Sequence, residues 1–536
     1  MTGGVDILSA GHANVTPGIE RIRRDDLAGA ALCVAVLIVA LVVGRFHQIG
    51  GFGVETDFYG AYAVQAKNLL EGRPYTYLQQ PPGYPLLLAA ASLLVDDLFL
   101  AAKIISAVAT AIFGWISYLL VRALFTSRIA LATTIVLLPA VFPASILAFS
   151  DILGAALKLL VLWAILRRPV LRPTSCMLAG LFGGLAYLVR YDAIFLMIVV
   201  AGALLLINPD RESLRHRLAK AGLFACGAIL TASPWLVTNW RTHGNPLAGS
   251  GYLLVATHFY MPGLQDQFDA ALKEPEPAAA VAQLEVATKF QSIQDVVSHD
   301  PVRFLRKYLY NLYSHGVGLG AKVLRFPAYL IAPVGLVLLL RDLTRRRLLY
   351  LVVCLFGYLS LGLVGFFQRF YLFLLPLGFL LVAYALFEAL PTTHRLRTVN
   401  APVSWLLLLL IAAPVGVSAY RETSRLIVSE PRYLFGIAEF VKRHSSPGER
   451  IIARKPHLAY LAGLVNTFPF VHSADAYLEE ARRRGARFIV YSDYEARVWP
   501  GLKSLRDPRA VPAGLTLIYY HPPSRTVIYE AGRSER

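Results

Sequence analysis

Two aspartates lie where polar segments meet apolar ones, and a carboxylate in such a place could do acid–base chemistry. Asp57 follows the first long apolar run within ETDFYGAY, and Asp151 opens a later apolar run within FSD. Such a carboxylate is ionised at neutral pH and can accept a proton from an incoming hydroxyl. Each could instead cap a helix by accepting a backbone N–H, and position alone favours that interpretation for Asp151. For Asp57 both interpretations stay open, because a catalytic carboxylate is recognised from its surroundings.

Three basic residues could serve the same chemistry. Arg190 and Arg369 lie at predicted helix ends, where a guanidinium can bind phosphate through paired donors or simply anchor the helix at the lipid boundary. Lys158 lies about two helical turns beyond Asp151 inside an apolar run, and a charge within a membrane is costly and usually functional. Its partner would be either an acid or a lipid phosphate.

The composition is that of a polytopic membrane protein. The chain has 536 residues, of which 56% are hydrophobic and 16% charged. The net charge of +18 comes from short Lys and Arg clusters between apolar runs, which indicates membrane topology and not a nucleic-acid groove. The four cysteines lie inside apolar runs, so we interpret them as buried hydrophobic residues. The sequence contains no P-loop, HExxH or CxxC motif, which leaves nucleotide and zinc sites without support.

Hydropathy predicts eleven membrane-spanning helices. A bilayer core about 30 Å thick needs roughly 20 apolar residues in a helix, and fewer where flanking side chains reach the interface. The run at 84–98 is short and ends at Asp96 and Asp97, so it is predicted as a helix lying at the outer interface. The predicted spans are 27–44, 100–121, 129–148, 150–166, 174–190, 193–208, 218–239, 325–340, 348–366, 370–389 and 402–419.

The basic clusters orient these spans. With eleven spans every cluster falls on one side, which the positive-inside rule makes cytoplasmic. This predicts a cytoplasmic tail at 1–26, a transmembrane module at 27–420 with outer loops at 45–99 and 240–323, and an extracytoplasmic domain at 421–536. The first span lacks a small-residue cleavage site and is predicted to be an uncleaved anchor.

The residues from 431 onward are predicted to form a small α/β domain. Helix patterns at 432–443 and 474–484 alternate with strand patterns in ERIIA and ARFIVYS, and LTLIYYHPPSRTVIYEA is typical of a hairpin. The long outer loop also contains a predicted basic helix at 301–314. That helix could lie on lipid headgroups or pack on the bundle as an ordinary surface helix.

Six motifs follow one another along the predicted outer face: ETDFYGAYAVQAKNLLEG, YLQQPPGYPLLLA, FSD, GLAYLVRYD, PWLVTNWRTHGNP and RFYLFLLP. Together they resemble the GT-C glycosyltransferases, particularly the branch that includes protein O-mannosyltransferases and the lipid A aminoarabinose transferase. The resemblance covers most of residues 25–420, and the order of the motifs is more specific than any one of them. It implies an all-α polytopic membrane protein of about eleven transmembrane helices with a small C-terminal α/β domain outside the membrane.

The resemblance also implies roles for individual residues. Asp57 would be the base that activates the acceptor, and Asp151 matches the second acidic position. Many relatives carry a lysine directly before Pro-Pro, where this chain has Gln79 and Gln80. A glutamine cannot neutralise a phosphate, so we expect basic residues elsewhere, chiefly Arg190 and Arg369, to hold it. The implied substrate-binding set is Tyr59, Gln80, Tyr84, Lys158, Arg190, Tyr191, Asp192, Arg241, Arg369 and Tyr371.

The implied reaction is transfer of a sugar from a polyprenyl-phosphate donor to a hydroxyl of a glycan, lipid or protein. It would take place at the outer face of the cytoplasmic membrane, with the bilayer itself as a partner and no nucleic acid involved. Asp57 would take the hydroxyl proton while polyprenyl phosphate leaves, which inverts the anomeric configuration. No essential metal or other cofactor is expected, because a monophosphate donor needs less charge neutralisation than a pyrophosphate.

Two other classes of protein fit parts of the sequence. A transporter or lipid flippase often shows internal repeats and broken helices around a midplane site, whereas this chain has no evident repeat and concentrates its polar residues on one predicted face. A noncatalytic scaffold or sensor would leave Asp57 and Asp151 without a shared task. Geometry separates these classes, because the enzyme requires both carboxylates and an arginine to converge on one outward cavity.

Overall fold

The computed structural model describes residues 17–77, 79–207, 211–365, 367–389, 397–468, 473–498 and 500–531. Part of the predicted cytoplasmic tail and the last residues of two predicted spans, 208 and 366, lie outside these ranges. Helices α1 to α9 are Pro17–Gly44, Ala63–Leu70, Gly83–Ser92, Leu98–Leu124, Ser127–Val141, Asp151–Leu166, Pro173–Val189, Ala193–Leu206 and Leu214–His243. Helices α10 to α19 are Gly251–Tyr260, Gln265–Ala271, Pro277–Ala282, Glu285–Lys289, Ile293–His299, Pro301–Gly318, Ala328–Arg341, Arg345–Ser360, Leu375–Tyr384 and Arg397–Val428.

The apolar helices confirm a multi-pass membrane protein. Within the described residues, seven helices are long and apolar enough to cross a membrane, or up to eight when a bent pair is counted as one span. Each of the eleven predicted spans coincides with a helix, but α6, α7 and α8 have only 16, 17 and 14 residues, so the count of eleven stays a prediction. Helix α3 has 10 residues and at 1.5 Å per residue extends over about half of a bilayer core.

The predicted basic helix in the long outer loop extends beyond its predicted end. Helix α15 reaches Gly318 and continues through a π-helical turn, Leu319–Leu324. The chain then bends by 113° before α16 begins at Ala328. Pro327 stands at the bend, where its missing N–H and fixed backbone angle prevent a continuous helix. The bend keeps Lys322 and Arg325 close to the site described below.

Helices α7 and α9 approach each other closely through small residues. A Cβ atom on Gly180 would lie 2.1 Å from the carbonyl oxygen of Phe224, and one on Gly227 would lie 2.5 Å from that of Met177. Small residues of this kind let helices pack backbone to backbone in a membrane. The contact fixes the direction of α7, which ends next to Arg190.

The C-terminal residues form the predicted small α/β domain. Strands β1 to β5 are Arg450–Ile452, Val465–Thr467, Ala486–Tyr491, Leu515–His521 and Thr526–Ala531, and helices α20 to α23 are Tyr433–Arg443, His457–Ala462, Ala474–Arg483 and Asp493–Val498. The sheet order is β2-β1-β3-β5-β4. Strands β1, β2 and β3 pair in parallel, and β5 is antiparallel to β3 and β4. Both predicted helices, the two strand patterns and the hairpin are confirmed, whereas β2 was not predicted.

A shared hydrophobic core attaches this domain to the first outer loop. Phe58 and Tyr59 are buried in the same cluster as Leu434 and Ile451 of the C-terminal domain and Phe259 of α10. The cluster therefore joins three different parts of the chain. Burial of aromatic side chains contributes roughly 25 cal/mol per Å² of apolar surface removed from water. The loop that carries Asp57 is therefore held by the C-terminal domain as well as by the helix bundle.

A buried histidine adds a polar link at the same junction. His47 Nε2 lies 3.0 Å from Glu55 and Nδ1 lies 2.7 Å from Glu430. Glu55 also accepts a hydrogen bond from the backbone N–H of Ala148, at 2.9 Å. This cluster ties the end of α1, the first outer loop and the segment after α19 together just before Asp57.

Candidate active site

Asp57 directly precedes a π-helical turn, Phe58–Tyr62, whose aromatic side chains are buried. Its backbone is already helical and its side chain makes no capping hydrogen bond, so the geometry gives the capping interpretation no support. The carboxylate faces two cations instead. Oδ1 lies 3.0 Å from Lys273 Nζ, and Oδ2 lies 3.7 Å from Arg369 Nη1. With 23% of its side chain exposed, Asp57 can be reached by a substrate.

Asp151 is the first residue of α6, where a carboxylate is favoured by the positive end of the helix dipole. Its Oδ1 lies 2.8 Å from Arg190 Nη1, and its Oδ2 lies 3.9 Å from Arg369 Nη1. The same nitrogen of Arg369 therefore lies between Asp151 and Asp57. The two carboxylates and an arginine converge, which is one part of the geometry that the enzyme interpretation requires. Neither carboxylate lines the cavity beside Arg369, so convergence on one outward cavity stays a prediction.

A hydrogen bond joins the two segments that carry these acids. The hydroxyls of Tyr62 and Ser150 are 3.0 Å apart, and these residues lie close in sequence to Asp57 and Asp151. Tyr62 is buried, so this bond is shielded from water and fixes the separation of the two segments.

A second group of charges lies behind Asp151. Arg190 Nε contacts Asp192 Oδ1 at 3.3 Å, and Lys158 Nζ contacts Asp192 Oδ2 at 2.6 Å. Arg190 thus lies between two carboxylates, and Lys158 has an acid as its partner, one of the two possibilities that the sequence left open. The group positions Asp151 and Arg190 relative to each other.

Arg369 is placed differently from Arg190. Its guanidinium lies 5.3 Å from the ring centroid of Phe370 and 5.7 Å from that of Phe367. Its Nε is buried and has no hydrogen-bond partner among the described residues. The residue lines a cavity of about 370 Å³ whose walls are largely apolar and include Lys322 and Arg325. An arginine with an unused donor beside apolar walls is suited to bind an anionic group attached to an apolar chain.

Lys273 is the partner of Asp57 that the sequence did not reveal. It follows α11 in the long outer loop, its side chain is 5% exposed, and its Nζ also lies 2.5 Å from Asp269. Burial disfavours its charged form, but Asp269 and Asp57 outweigh that effect and raise the pKa of Lys273. Arg454 of the C-terminal domain lies 3.7 Å from Asp269. The C-terminal domain therefore reaches Asp57 through a chain of ion pairs.

Three residues of the predicted binding set shape the loop around Asp57. Tyr59 accepts a hydrogen bond from the N–H of Gly50 at 2.9 Å, and its ring packs against that of His457. Tyr84 is buried with its ring 4.9 Å from that of Tyr62. The backbone carbonyl of Gln80 accepts a hydrogen bond from Tyr75, at 2.8 Å.

Three further residues of that set contact other partners. Tyr371 is buried and bonds to His315. The hydroxyl of Tyr191 accepts a hydrogen bond from Trp235 at 3.2 Å, and Arg241 is exposed near the end of α9. A role of these three residues in substrate binding stays a prediction. Among the described residues, no group of three or more His, Cys, Asp and Glu is arranged to hold a metal ion.

One protein-family model matches part of this chain. Residues 79–238 match the family model described as dolichyl-phosphate-mannose-protein mannosyltransferase. No curated protein sequence matches the chain significantly. The family model thus covers most of the second of the six sequence motifs, the third and fourth, and the start of the fifth.

Solved structures resemble nearly the whole chain. ArnT from Cupriavidus metallidurans bound to undecaprenyl phosphate is 14% identical with a TM-score of 0.57, over 94% of this chain and 98% of that one. The Archaeoglobus fulgidus oligosaccharyltransferase in complex with zinc and sulfate is 14% identical with a TM-score of 0.59, over 93% of this chain and 73% of that one. The same enzyme tethered to an acceptor peptide gives 12% identity and a TM-score of 0.57. At these identities the likeness concerns the fold, and it confirms the GT-C fold that the motifs implied.

Proposed function

We propose that this chain is a glycosyltransferase that moves a sugar from a polyprenyl-phosphate donor to a hydroxyl acceptor, with Asp57 as the general base. The observation that carries the proposal is the position of Arg369 Nη1, 3.7 Å from Asp57 and 3.9 Å from Asp151, at the wall of an apolar cavity. The likeness in fold to ArnT bound to undecaprenyl phosphate supports a lipid-linked donor.

The cavity beside Arg369 is the proposed donor site. Its apolar wall, with Val141, Leu147 and Leu372 among its residues, suits a polyprenyl chain, since burial of apolar surface drives such binding. Arg369 would hold the phosphate. Lys322 and Arg325 line the same cavity and would assist, although Glu422 lines it too and lies close to Arg325. Neither of the two further basic residues was expected from the sequence, because they lie in the π-helical turn and bend that end α15.

Arg369 is a better candidate for the phosphate than Arg190. Arg190 is already bonded to Asp151 and Asp192, whereas the ion-pair distances of Arg369 are long and one of its donors is unused. A charge-assisted hydrogen bond needs a free donor at about 2.7–2.9 Å. Arg190 would act on Asp151 and Arg369 as a positioning residue, although its own role in phosphate binding stays a prediction.

The proposed reaction is one displacement. The acceptor O–H bond breaks and its proton goes to Asp57, while the oxygen forms a bond to the anomeric carbon. The bond from that carbon to the phosphate oxygen breaks, and polyprenyl phosphate leaves with the electron pair, stabilised by Arg369. Because attack and departure take place on opposite sides, the configuration inverts. The step uses no metal and no nucleotide.

The proposed location is the outer side of the cytoplasmic membrane, for the site and for the C-terminal domain alike. Six basic clusters on the opposite ends of the helices support this orientation. The acceptor would be a glycan, a lipid or a protein of the cell envelope. Reporter fusions after Arg128 and after Gly448 should report opposite compartments, and the same compartment for both would contradict the proposed topology.

The function can be tested in the producing cell. Mass spectrometry of envelope glycans, lipids and glycoproteins should show one sugar missing in a strain that lacks the chain. The parent gene should restore the sugar, whereas a gene encoding Asp57→Asn should not, at equal amounts of membrane-inserted protein. Unchanged envelope glycans in the deletion strain, or full restoration by the Asn variant, would contradict the proposed function.

A further inference from the structure

A second cavity, of about 550 Å³, lies where the loop that carries Asp57 meets the C-terminal domain, and we call it the outer cavity. Three separate segments build its walls. They are α2 with the residues that follow it, the stretch from Lys273 to Pro277, and the part of the C-terminal domain around α21 and β2. Binding sites are often concave and lie where domains meet. None of the lining residues of this cavity is shared with the apolar cavity beside Arg369.

The lining of this outer cavity offers hydrogen bonds to a ligand rich in hydroxyls. Asn68 and Asn466 line it, and an amide provides both donors and an acceptor. Asn466 Oδ1 is buried and has no hydrogen-bond partner among the described residues. Buried polar atoms are nearly always bonded, so an unpaired acceptor in the wall of a cavity indicates a place for a ligand donor.

One wall of the outer cavity is aromatic and carries a cation. Tyr460 lines it, and Lys67 Nζ lies 4.3 Å from the centroid of that ring. Within the described ranges no carboxylate forms an ion pair with Lys67, whereas Glu274 is bonded to Arg484. Lys67 covers one face of that ring, so this wall offers the ammonium group and, together with Asn68 and Asn466, donors and acceptors for the hydroxyls of a sugar.

A peptide and a carbohydrate would use different parts of the lining. Strand β2, whose Val465 and Asn466 line the outer cavity, is an edge strand with which a peptide could pair. The rest of the lining offers few main-chain donors, since it includes Pro275, Pro277, Pro447 and Pro456 and proline has no backbone N–H. Sugar hydroxyls can use the side-chain amides without that edge, and the peptide array in the binding test separates the two ligands.

Lys273 separates the outer cavity from Asp57. It lines the cavity, its Nζ lies 3.0 Å from Asp57, and it keeps a 2.5 Å contact with Asp269. Gly60 allows this close approach, because a Cβ there would lie 2.7 Å from Lys273 Cδ and 3.0 Å from Pro456 Cγ. An acceptor hydroxyl can therefore replace Lys273 at Asp57 while Lys273 remains bonded to Asp269.

We propose that the outer cavity is the acceptor site and that the acceptor is a carbohydrate chain rich in hydroxyl groups. This inference rests on the proposed function, since it names the acceptor class for the reaction at Asp57. Donor and acceptor would then approach Asp57 from opposite sides, the donor from the apolar cavity and the acceptor past Lys273. The acceptor hydroxyl gives its proton to Asp57 and its oxygen forms the new glycosidic bond, as in the displacement described above.

The first test measures binding without turnover. Full-length protein in lipid nanodiscs, with no donor present, is probed with an array of defined mannose, galactose, glucose and arabinose oligosaccharides and with an array of serine- and threonine-containing peptides. We expect at least one oligosaccharide to bind and the peptides not to. Asn466→Ala and Asn68→Ala should each weaken that binding about tenfold, which is the effect of losing roughly one hydrogen bond.

A matched control lies on the opposite edge of the sheet. Thr516 is exposed on β4, so Thr516→Ala should bind the oligosaccharide like the parent. Melting temperatures of all variants should agree with the parent, and Asn68→Ala on the helix surface serves if Asn466→Ala does not fold. Unchanged affinity in the folded Asn variants, binding of peptides in place of glycans, or binding of neither array would overturn the proposal.

The Asp57→Asn variant separates this inference from the function on which it rests. It should keep oligosaccharide binding and lose transfer, because Asp57 takes the proton and does not build the outer cavity. If the Asn variant still transfers sugar at the parent rate, the proposed base is wrong, and the binding data for Asn466→Ala decide the cavity independently. If the variant lacks transfer and the oligosaccharide binds elsewhere, only the acceptor site is overturned.

Discussion

Asp57 and Asp151 occur at similar places in the sequence, each at the start of a helical segment, but their surroundings differ. Asp57 is 23% exposed and shares Lys273 with Asp269, whereas Asp151 is 5% exposed and bonded to Arg190 at 2.8 Å. A general base must be accessible to its substrate, and its ion-pair partner must be able to release it. Asp57 has both, and Asp151 has neither.

The difference shows that two acids of one site can have different roles because their ion-pair partners differ. The buried, closely bonded Asp151 would orient Arg190 and Arg369, while the accessible Asp57 would take the proton. The five changes below either break this division or sharpen it, and they are ordered by the size of the expected effect.

The largest effect is expected for Asp57→Asn. Asparagine keeps the shape of the side chain but cannot accept the proton, so transfer from a polyprenyl-phosphate sugar in liposomes should fall by roughly a hundredfold or more. Donor binding and melting temperature should remain close to those of the parent. Because asparagine also caps helices well, a purely structural Asp57 would leave the rate nearly unchanged, and that result would end the proposal that Asp57 is the base.

The next effect concerns the phosphate. Arg369→Gln removes the guanidinium at the wall of the apolar cavity and should weaken donor binding by about 10- to 100-fold, as expected for the loss of a charge-assisted hydrogen bond. Donor affinity is measured with the polyprenyl-phosphate sugar in nanodiscs. Arg306→Gln on α15 is the control for the general positive charge of the outer face. Equal, small effects of the two changes would show that Arg369 does not hold the phosphate.

Asp151→Asn should act mainly on order and stability. It removes one of the two carboxylates around Arg190 while Asp192 remains, so we expect a melting temperature lower by a few degrees and a transfer rate reduced by about tenfold. Asp295→Asn in α14, in the same outer loop system, is a control outside the site. A loss of transfer as large as in Asp57→Asn, without loss of stability, would make Asp151 a second participant in the proton transfer.

Lys273→Met tests whether the cation holds Asp57 in place. Its Nζ lies 3.0 Å from Asp57 and 2.5 Å from Asp269, so its removal leaves two carboxylates without their shared cation and should lower the transfer rate roughly threefold and the melting temperature by a few degrees. Lys289→Met, in an exposed pair with Glu285, should change neither quantity. An unchanged transfer rate together with a lower melting temperature would limit Lys273 to a structural role.

The smallest effect is expected for His47, which lies between Glu55 and Glu430. Burial disfavours the charged form of His47, but Glu55 and Glu430 outweigh it and raise the pKa of His47 above 6.5. Arg432 bonds to Glu430, and Lys103 donates to the backbone carbonyl of His47. A raised pKa contributes stability that is fully present below pH 6.5 and is lost as the pH rises through the raised value.

The measurement for His47 is a difference in melting temperature against pH. His47→Gln should melt a few degrees below the parent at pH 6, and the gap should shrink at alkaline pH. The exposed His444, which directly follows α20, provides the matched variant, His444→Gln, which should show no gap at any pH. A gap for His47→Gln that grows with pH would contradict the protonated link.

Local patterns in the sequence predicted most elements of the fold. Hydropathy located the apolar helices, and alternation of apolar residues located β3 and the hairpin of β4 and β5. The three-residue strand β2 was missed, because Val465–Thr467 is too short to show a period. The count of spans was not decided, since α6, α7 and α8 are shorter than a bilayer core requires.

The candidate site was predicted only in part. Motif order selected Asp57, Asp151, Arg190 and Arg369, and the structure brings these four together. Lys273, Lys322 and Arg325 were missed, because each is a single basic residue in a loop or helix end that contains many others. Tyr371 and Arg241 belong to motifs of the predicted face, yet the direction of their side chains depends on packing that motif spacing does not specify.

The sequence by itself determined that the chain is a membrane protein with polar loops, a small C-terminal α/β domain and acids at two helix starts. These properties follow from local hydropathy, charge and periodicity, which act over one or two turns of chain. Tertiary structure decided which cation meets which acid: Lys273 reaches Asp57 because the long outer loop packs between the first loop and the C-terminal domain. Such partners are set by packing between distant segments. The local sequence around a carboxylate does not reveal whether it is buried in an ion pair or accessible to a substrate.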